Sequence, residues 1–261
     1  MSSSTVIRSQ DNAVLKSAGA VLAGRDRERI ALEGDLLIDE ALTAGLAFEV
    51  VLVAEEREQR ALELERQRLP VRRVATRLLE RVSELTTSPG ILALCARPER
   101  RVLEDLVPAS DTLALVVAGV SDPGNLGALA RSAEAAGCAF LALVSGGCSP
   151  WNGKALRGSM GSLLRLPVLS FGTAREAIDA LALHRFRQVS AATRGGTPLA
   201  RFDWSGRIAL WIGAETGVLP GAAESFQGVT IPMAGRVESL NVTVAASLLL
   251  FAAGRCDGVA S

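Results

Sequence analysis

Beyond residue 111 the chain carries five runs of largely continuous apolar character, at 113–120, 140–144, 167–170, 187–192 and 208–212. A strand that shows one face to water alternates apolar and polar residues. A strand covered on both faces does not need to, and this is the pattern of parallel sheets clothed by helices. Segments of helical spacing lie between the runs, notably 127–136 and 174–183. The expected fold class is therefore α/β. The chain ends on 241–255, a stretch so uniformly apolar that a helix there has to be buried, in its own core or against another subunit.

The first hundred residues follow a different rhythm. Helical spacing at 33–44, 55–68 and 76–85 alternates with strand-like runs at 48–54, 71–75 and 90–96. This predicts a small α/β domain over 1–100. Residues 97–109, with Pro98 and Pro108, read as a connection, so the expected organisation is a domain at 1–100, a linker at 101–110 and a second domain at 111–261.

With 49% hydrophobic residues and 21% charged ones, the 261-residue chain has ample material for packed cores. Residues 1–10 are polar and no apolar run reaches membrane-spanning length, so a cytoplasmic protein without a membrane span is expected. Cys95, Cys138, Cys148 and Cys256 are scattered with no CxxC pair, and His184 is the only histidine. No metal site is expected, and a histidine-dependent hydrolase triad is disfavoured, all the more because GxSxG is absent. Formal net charge is zero, yet the window 135–202 holds eight basic residues, Lys154, Arg157, Arg165, Arg175, Arg185, Arg187, Arg194 and Arg201, against Glu176 and Asp179 alone. That window is either a face for an anionic ligand or a set of separate solvated helix residues.

Three segments stand out. Residues 122–137, DPGNLGALARSAEAAG, follow a strand and open a helix; Gly124 and Gly127 allow close backbone approach, and Arg131 lies on the first turns. Amides and an Arg at a helix start suit an anion, although an ordinary strand-turn-helix connection reads the same way. Residues 208–220, IALWIGAETGVLP, end a strand at Gly213 and carry Glu215, at the edge where open α/β sheets place ligands. Residues 231–246, IPMAGRVESLNVTVAA, lead through Pro232 and Gly235 to Ser239 and Asn241, either of which can cap the last helix.

In order, spacing and position these segments resemble the three signature motifs of the SpoU/TrmH family of the SPOUT superfamily, and 154–168, KALRGSMGSLLRLPV, is similar to the stretch between the first two. The N-terminal part resembles the L30e-like RNA-binding domain found in many members, on Leu32-Glu33-Gly34 and on Pro89-Gly90-Ile91-Leu92-Ala93, with Pro89 where members often carry Gln. The resemblance implies a C-terminal SPOUT-type α/β domain with a deep trefoil knot, a homodimer, and S-adenosyl-L-methionine (AdoMet) as cofactor. By motif position the cofactor contacts are Gly213, Ile231 and Leu240, with Met233 nearby. Asn125, Arg131, Glu215, Ser239 and Asn241 take the polar catalytic positions, and Lys154, Arg157 and Arg165 are candidates for RNA contact.

The implied reaction methylates a ribose 2′-hydroxyl of RNA, in ribosomal (23S) RNA in preference to tRNA because the extra domain is present. A non-catalytic RNA-binding protein of the same fold is the alternative from another class, and the five polar positions speak against it. A guanidinium is too weak a base to take the hydroxyl proton. Arg131 is better suited to polarise the hydroxyl, with Glu215 or a phosphate accepting the proton.

Overall fold

The computed structural model describes residues 6–99, 101–106, 111–213 and 225–254. The chain divides into two compact units: Met1–Glu99 with Trp151–Arg157, and Arg100–Pro150 with Gly158–Ser261.

In the first unit the elements run α1 (Ala13–Leu22), β1 (Arg29–Glu33), α2 (Asp35–Thr43), β2 (Phe48–Ala54), α3 (Glu58–Arg66), β3 (Val71–Val74), α4 (Thr76–Val82) and β4 (Ile91–Ala96). The sheet order is β1-β4-β2-β3; β4 is antiparallel to both neighbours and β2 pairs with β3 in parallel. Leu15, Ala18 and Val21, at helical spacing on α1, pack with Val50, Leu52, Leu92 and Leu94 of the sheet. Gly90 has φ 68°, and a Cβ there would stand 3.0 Å from Arg57 Cδ, so glycine suits both the backbone and the space. Arg57 crosses this loop to donate to the Pro89 carbonyl at 3.0 Å and to Asp35 at 2.9 Å.

The second unit contains β5 (Thr112–Ala118), α5 (Pro123–Ala135), β6 (Phe140–Val144), α6 (Gly153–Ser159, whose first turns belong to the first unit), α7 (Ser162–Arg165), β7 (Val168–Phe171), α8 (Ala174–Leu183), β8 (Arg187–Ala191), β9 (Thr197–Pro198), β10 (Arg207–Ile212), β11 (Gln227–Thr230) and α9 (Val242–Ala253). The sheet order is β7-β6-β5-β10-β8-β11-β9, with every pairing parallel. All seven residues of β5 are buried. Ala114, Val116 and Ala118 share a core with Ala177 and Leu181 of α8. Leu113, Leu115 and Val117 point to the other face, by the two-residue period of a strand, and are buried as well. Burial on both faces is the physical reason for the continuous apolar run. Leu103, within the stretch read as a linker, is buried in this same core, so residues 101–106 are part of the second unit.

Candidate active site

The first motif starts α5. Asp122 is its N-cap, accepting from the Asn125 amide at 2.9 Å, and Pro123 stands at the first helical position, where no backbone donor is needed. The helix therefore begins four residues earlier than its apolar spacing suggests, and a carboxylate of the chain already meets one of the amides expected to serve an anion. The motif glycines have a different use. A Cβ on Gly158 would lie 3.3 Å from the Gly124 carbonyl oxygen and 3.6 Å from Gly127 Cα, so three glycines let α6 approach the start of α5 backbone to backbone. Arg131 is exposed on α5, and no hydrogen bond or ion pair is assigned to it among the described residues.

The third motif ends in α9. Asn241 caps it, its Oδ1 accepting from the amides of Thr243 at 2.9 Å and Val244 at 3.4 Å. Of the two candidate caps, Asn241 is the one used. Ser239 is exposed two residues earlier. Asn125 in the first turn of α5 and Asn241 at the cap of α9 thus stand on helices that pack against each other, and the Thr243 hydroxyl of α9 donates to Asn125 Oδ1 at 3.4 Å. Val244, Leu248 and Phe251 of α9 are exposed, so the helix buries one face in the unit and leaves an apolar stripe outside it.

A cleft opens at the carboxyl ends of β8 and β11. Its lining includes Ile231, Met233, Ser239 and Leu240 of the third motif, with Ala245 and Leu249 of α9. Ala191, Ala192, Thr193 and Val229 complete it; these four were not anticipated from the sequence. They arrive because Trp211, Ser190 and Gly228 stand abreast in the sheet, which sets the ends of β10, β8 and β11 side by side. Gly213 directly follows β10 at this edge without lining the cleft, and Glu215 lies outside the described residues. Among the described residues that line the cleft, Thr193 and Ser239 bring side-chain hydroxyls and none is charged. An apolar cleft with two hydroxyls and strand-end amides suits a flat adenine.

The basic candidates are differently placed. Arg165 Nε and Nη2 grip the Glu134 carboxylate at 2.7 and 2.8 Å, a bidentate pair. Arg157 Nη1 lies 3.5 Å from the buried Glu33 carboxylate. Lys154 is exposed on the first turn of α6. Arg165 is not among the residues that line the cleft.

Comparison with known proteins converges on one family. The chain is 32% identical over 223 residues, 84% of its length and 86% of the relative's, to a Bacillus subtilis (strain 168) protein named 23S rRNA (guanosine(2553)-2′-O)-methyltransferase RlmP. It is 35% identical over 218 residues, 79% of this chain and 88% of the relative, to the 23S rRNA (guanosine-2′-O-)-methyltransferase RlmB of Xylella fastidiosa (strain Temecula1). Among solved structures, the SpoU methyltransferase AviRb of Streptomyces viridochromogenes in complex with AdoMet superposes with a TM-score of 0.83 at 28% identity, covering 93% of this chain and 97% of that one. Residues 112–251, from the start of β5 into α9, match the family described as the SpoU rRNA Methylase family, and the chain belongs to that family.

Proposed function

We propose that this chain methylates a ribose 2′-hydroxyl of ribosomal RNA with AdoMet as methyl donor. The observation that carries the proposal is the apolar cleft at the carboxyl ends of β8 and β11, built largely from the third motif, beside the paired starts of α5 and α9. The relatives named for 23S rRNA 2′-O-methylation and the AdoMet complex of AviRb support the same reading.

When bound, AdoMet supplies an electrophilic sulfonium methyl. Ile231, Met233 and Leu240 would hold it in the cleft by apolar contact, with the Gly213 backbone supplying polar contacts, and would keep water from the reacting atoms. Arg131 polarises the ribose hydroxyl, steadies the developing alkoxide and grips the flanking phosphate in a two-pronged manner that a lysine cannot reproduce. Asn125, Ser239 and Asn241 orient the hydroxyl and Arg131. Glu215 is the carboxylate of the second motif available to take the proton.

In this reading the segments following β10 and β11 form the deep trefoil knot, consistent with the placement of β11 beyond β8 and the return of α9 to β8, β10 and α5. The first unit, as an L30e-like domain carrying Lys154 and Arg157, binds RNA, and Arg165 of the second unit is a further candidate contact. The exposed stripe of α9 is the surface on which two copies meet as a homodimer, and the enzyme works in the cytoplasm.

Titration calorimetry with AdoMet, followed by transfer of labelled methyl to 23S RNA, tests the proposal. Saturable binding that Leu240→Arg abolishes, with label in alkali-resistant dinucleotides, is expected. Absence of AdoMet binding by the intact chain overturns it.

A further inference from the structure

Besides Asn125, the interface between α5 and α9 carries three hydroxyl residues that the reading above does not use. Ser132 and Ser247 stand with their Oγ atoms 2.7 Å apart, and Ser247 Oγ donates to the Thr243 carbonyl at 2.7 Å. A serine has one hydroxyl hydrogen. Since that of Ser247 goes to Thr243, Ser132 is the donor across the helices. The second cross-helix bond is the one from Thr243 Oγ1 to Asn125 Oδ1 at 3.4 Å.

Residues seven apart return to nearly the same side of a helix, within about 20°, and residues four apart within about 40°. Asn125 and Ser132 therefore share one line along α5, and Thr243 and Ser247 one line along α9. The two lines face each other and are joined at both ends. The buried side chains of the two helices are otherwise small or aliphatic: Leu126, Leu129, Ala130 and Ala133 on α5, and Ala246, Leu249, Leu250 and Ala253 on α9. Apolar packing alone tolerates small rotations of one helix on the other. Directional bonds at two points do not, because each is lost within a few tenths of an ångström or a few tens of degrees.

We propose that Thr243, Ser132 and Ser247 form a polar seam that positions the first motif for methyl transfer, an inference that rests on the function proposed above. Thr243 orients the Asn125 amide: with Oδ1 turned to accept from the hydroxyl, the Nδ2 donor is turned away from Thr243. Ser132 fixes the rotation of α5 about its axis. Arg131, one residue back, is thereby held about 100° from the seam. These are positioning residues; none is assigned contact with the reacting atoms.

The experiment measures single-turnover methyl transfer, AdoMet affinity and thermal unfolding for Thr243→Val, Thr243→Ser and Ser132→Ala, and for Thr243→Val combined with Asn125→Ala. Thr243→Val keeps shape and loses the hydroxyl. The transfer rate should fall roughly ten- to a hundredfold, the scale of a small misplacement of a reacting group, with AdoMet affinity unchanged. Thr243→Ser should restore most of the rate. In the Asn125→Ala background Thr243→Val should cost nothing further, because it acts through Asn125. Should Thr243→Val fold poorly, Ser132→Ala carries the test: alanine favours the helix and leaves Ser247 bonded to Thr243, so a rate loss at unchanged stability is expected. A wild-type rate in Thr243→Val or in a folded Ser132→Ala, an additive double variant, or parallel loss of rate and AdoMet affinity overturns the seam while leaving the enzyme's function standing. An intact chain that transfers no methyl to any RNA overturns both.

Discussion

The apolar stripe on α9 gives a prediction whose size follows from exposure. Val244, Leu248 and Phe251 stand at i, i+4 and i+7 on one face and are 48%, 45% and 55% exposed. Complete burial of such a side chain is worth about 1.5–3 kcal/mol, so covering the exposed half yields about 0.7–1.5 kcal/mol each. A two-fold dimer uses each residue twice, and the stripe as a whole contributes on the order of 4–9 kcal/mol. That is comparable with the cost of association, so the stripe is necessary to a dimer without being sufficient. Leu248→Asp removes two of these contacts per dimer and forces two carboxylates into an apolar contact, a loss of roughly 4 kcal/mol or more. At about 1.4 kcal/mol per decade, Kd should rise at least about a thousandfold. The monomer should fold normally, since the position is half open to water. Sedimentation equilibrium across micromolar concentrations reads both quantities. A wild type that stays monomeric at tens of micromolar, or a Leu248→Asp variant that dimerises like the wild type, refutes the reasoning.

Arg131→Ala should leave unfolding and AdoMet affinity near wild type, while single-turnover methyl transfer falls by about a hundredfold or more; Arg131→Lys should recover little of it, and an Ala variant retaining a third of the rate removes Arg131 from the mechanism. Lys154→Ala should lower the salt dependence of RNA binding by about one unit of log–log slope, and Arg165→Ala by less, because Glu134 already neutralises that guanidinium; equal effects in filter-binding titrations contradict this. Burial pushes the Cys95 thiol up to about 12, so its thiolate, the reactive form, is scarce below pH 9. Alkylation of the native protein at pH 8, mapped by mass spectrometry, should label the partly exposed Cys148 and spare Cys95.

The sequence was legible where burial leaves a pattern on consecutive residues. The runs at 48–54 and 140–144 and the helix at 174–183 coincide with β2, β6 and α8, because continuous burial or helical spacing marks them within a few residues. Elements without such a mark were missed. The small residues of α1 give weak periodicity, β1 emerges from the charged run RDRER, and β11 is four residues, QGVT, with a single buried side chain. The same holds for the site. Ile231, Met233, Ser239 and Leu240 share one motif and so can be named together from the sequence, whereas Ala191, Ala192, Thr193 and Val229 join them only through the pairing of β8 with β11. Asn241 shows the limit of motif reading: its capping bonds are on display in α9, and a part in the chemistry has to be measured separately.

The account stands most directly on the position of the methyl group that this chain adds to RNA. Ribosomal RNA from cells with and without the gene, mapped for 2′-O-methylation by alkaline-hydrolysis protection and by nucleoside mass spectrometry, should differ at a ribose 2′-oxygen, and purified protein with AdoMet should restore that mark on the RNA that lacks it. An unchanged ribose-methylation map, or a methyl group found on a base nitrogen or carbon, contradicts the account.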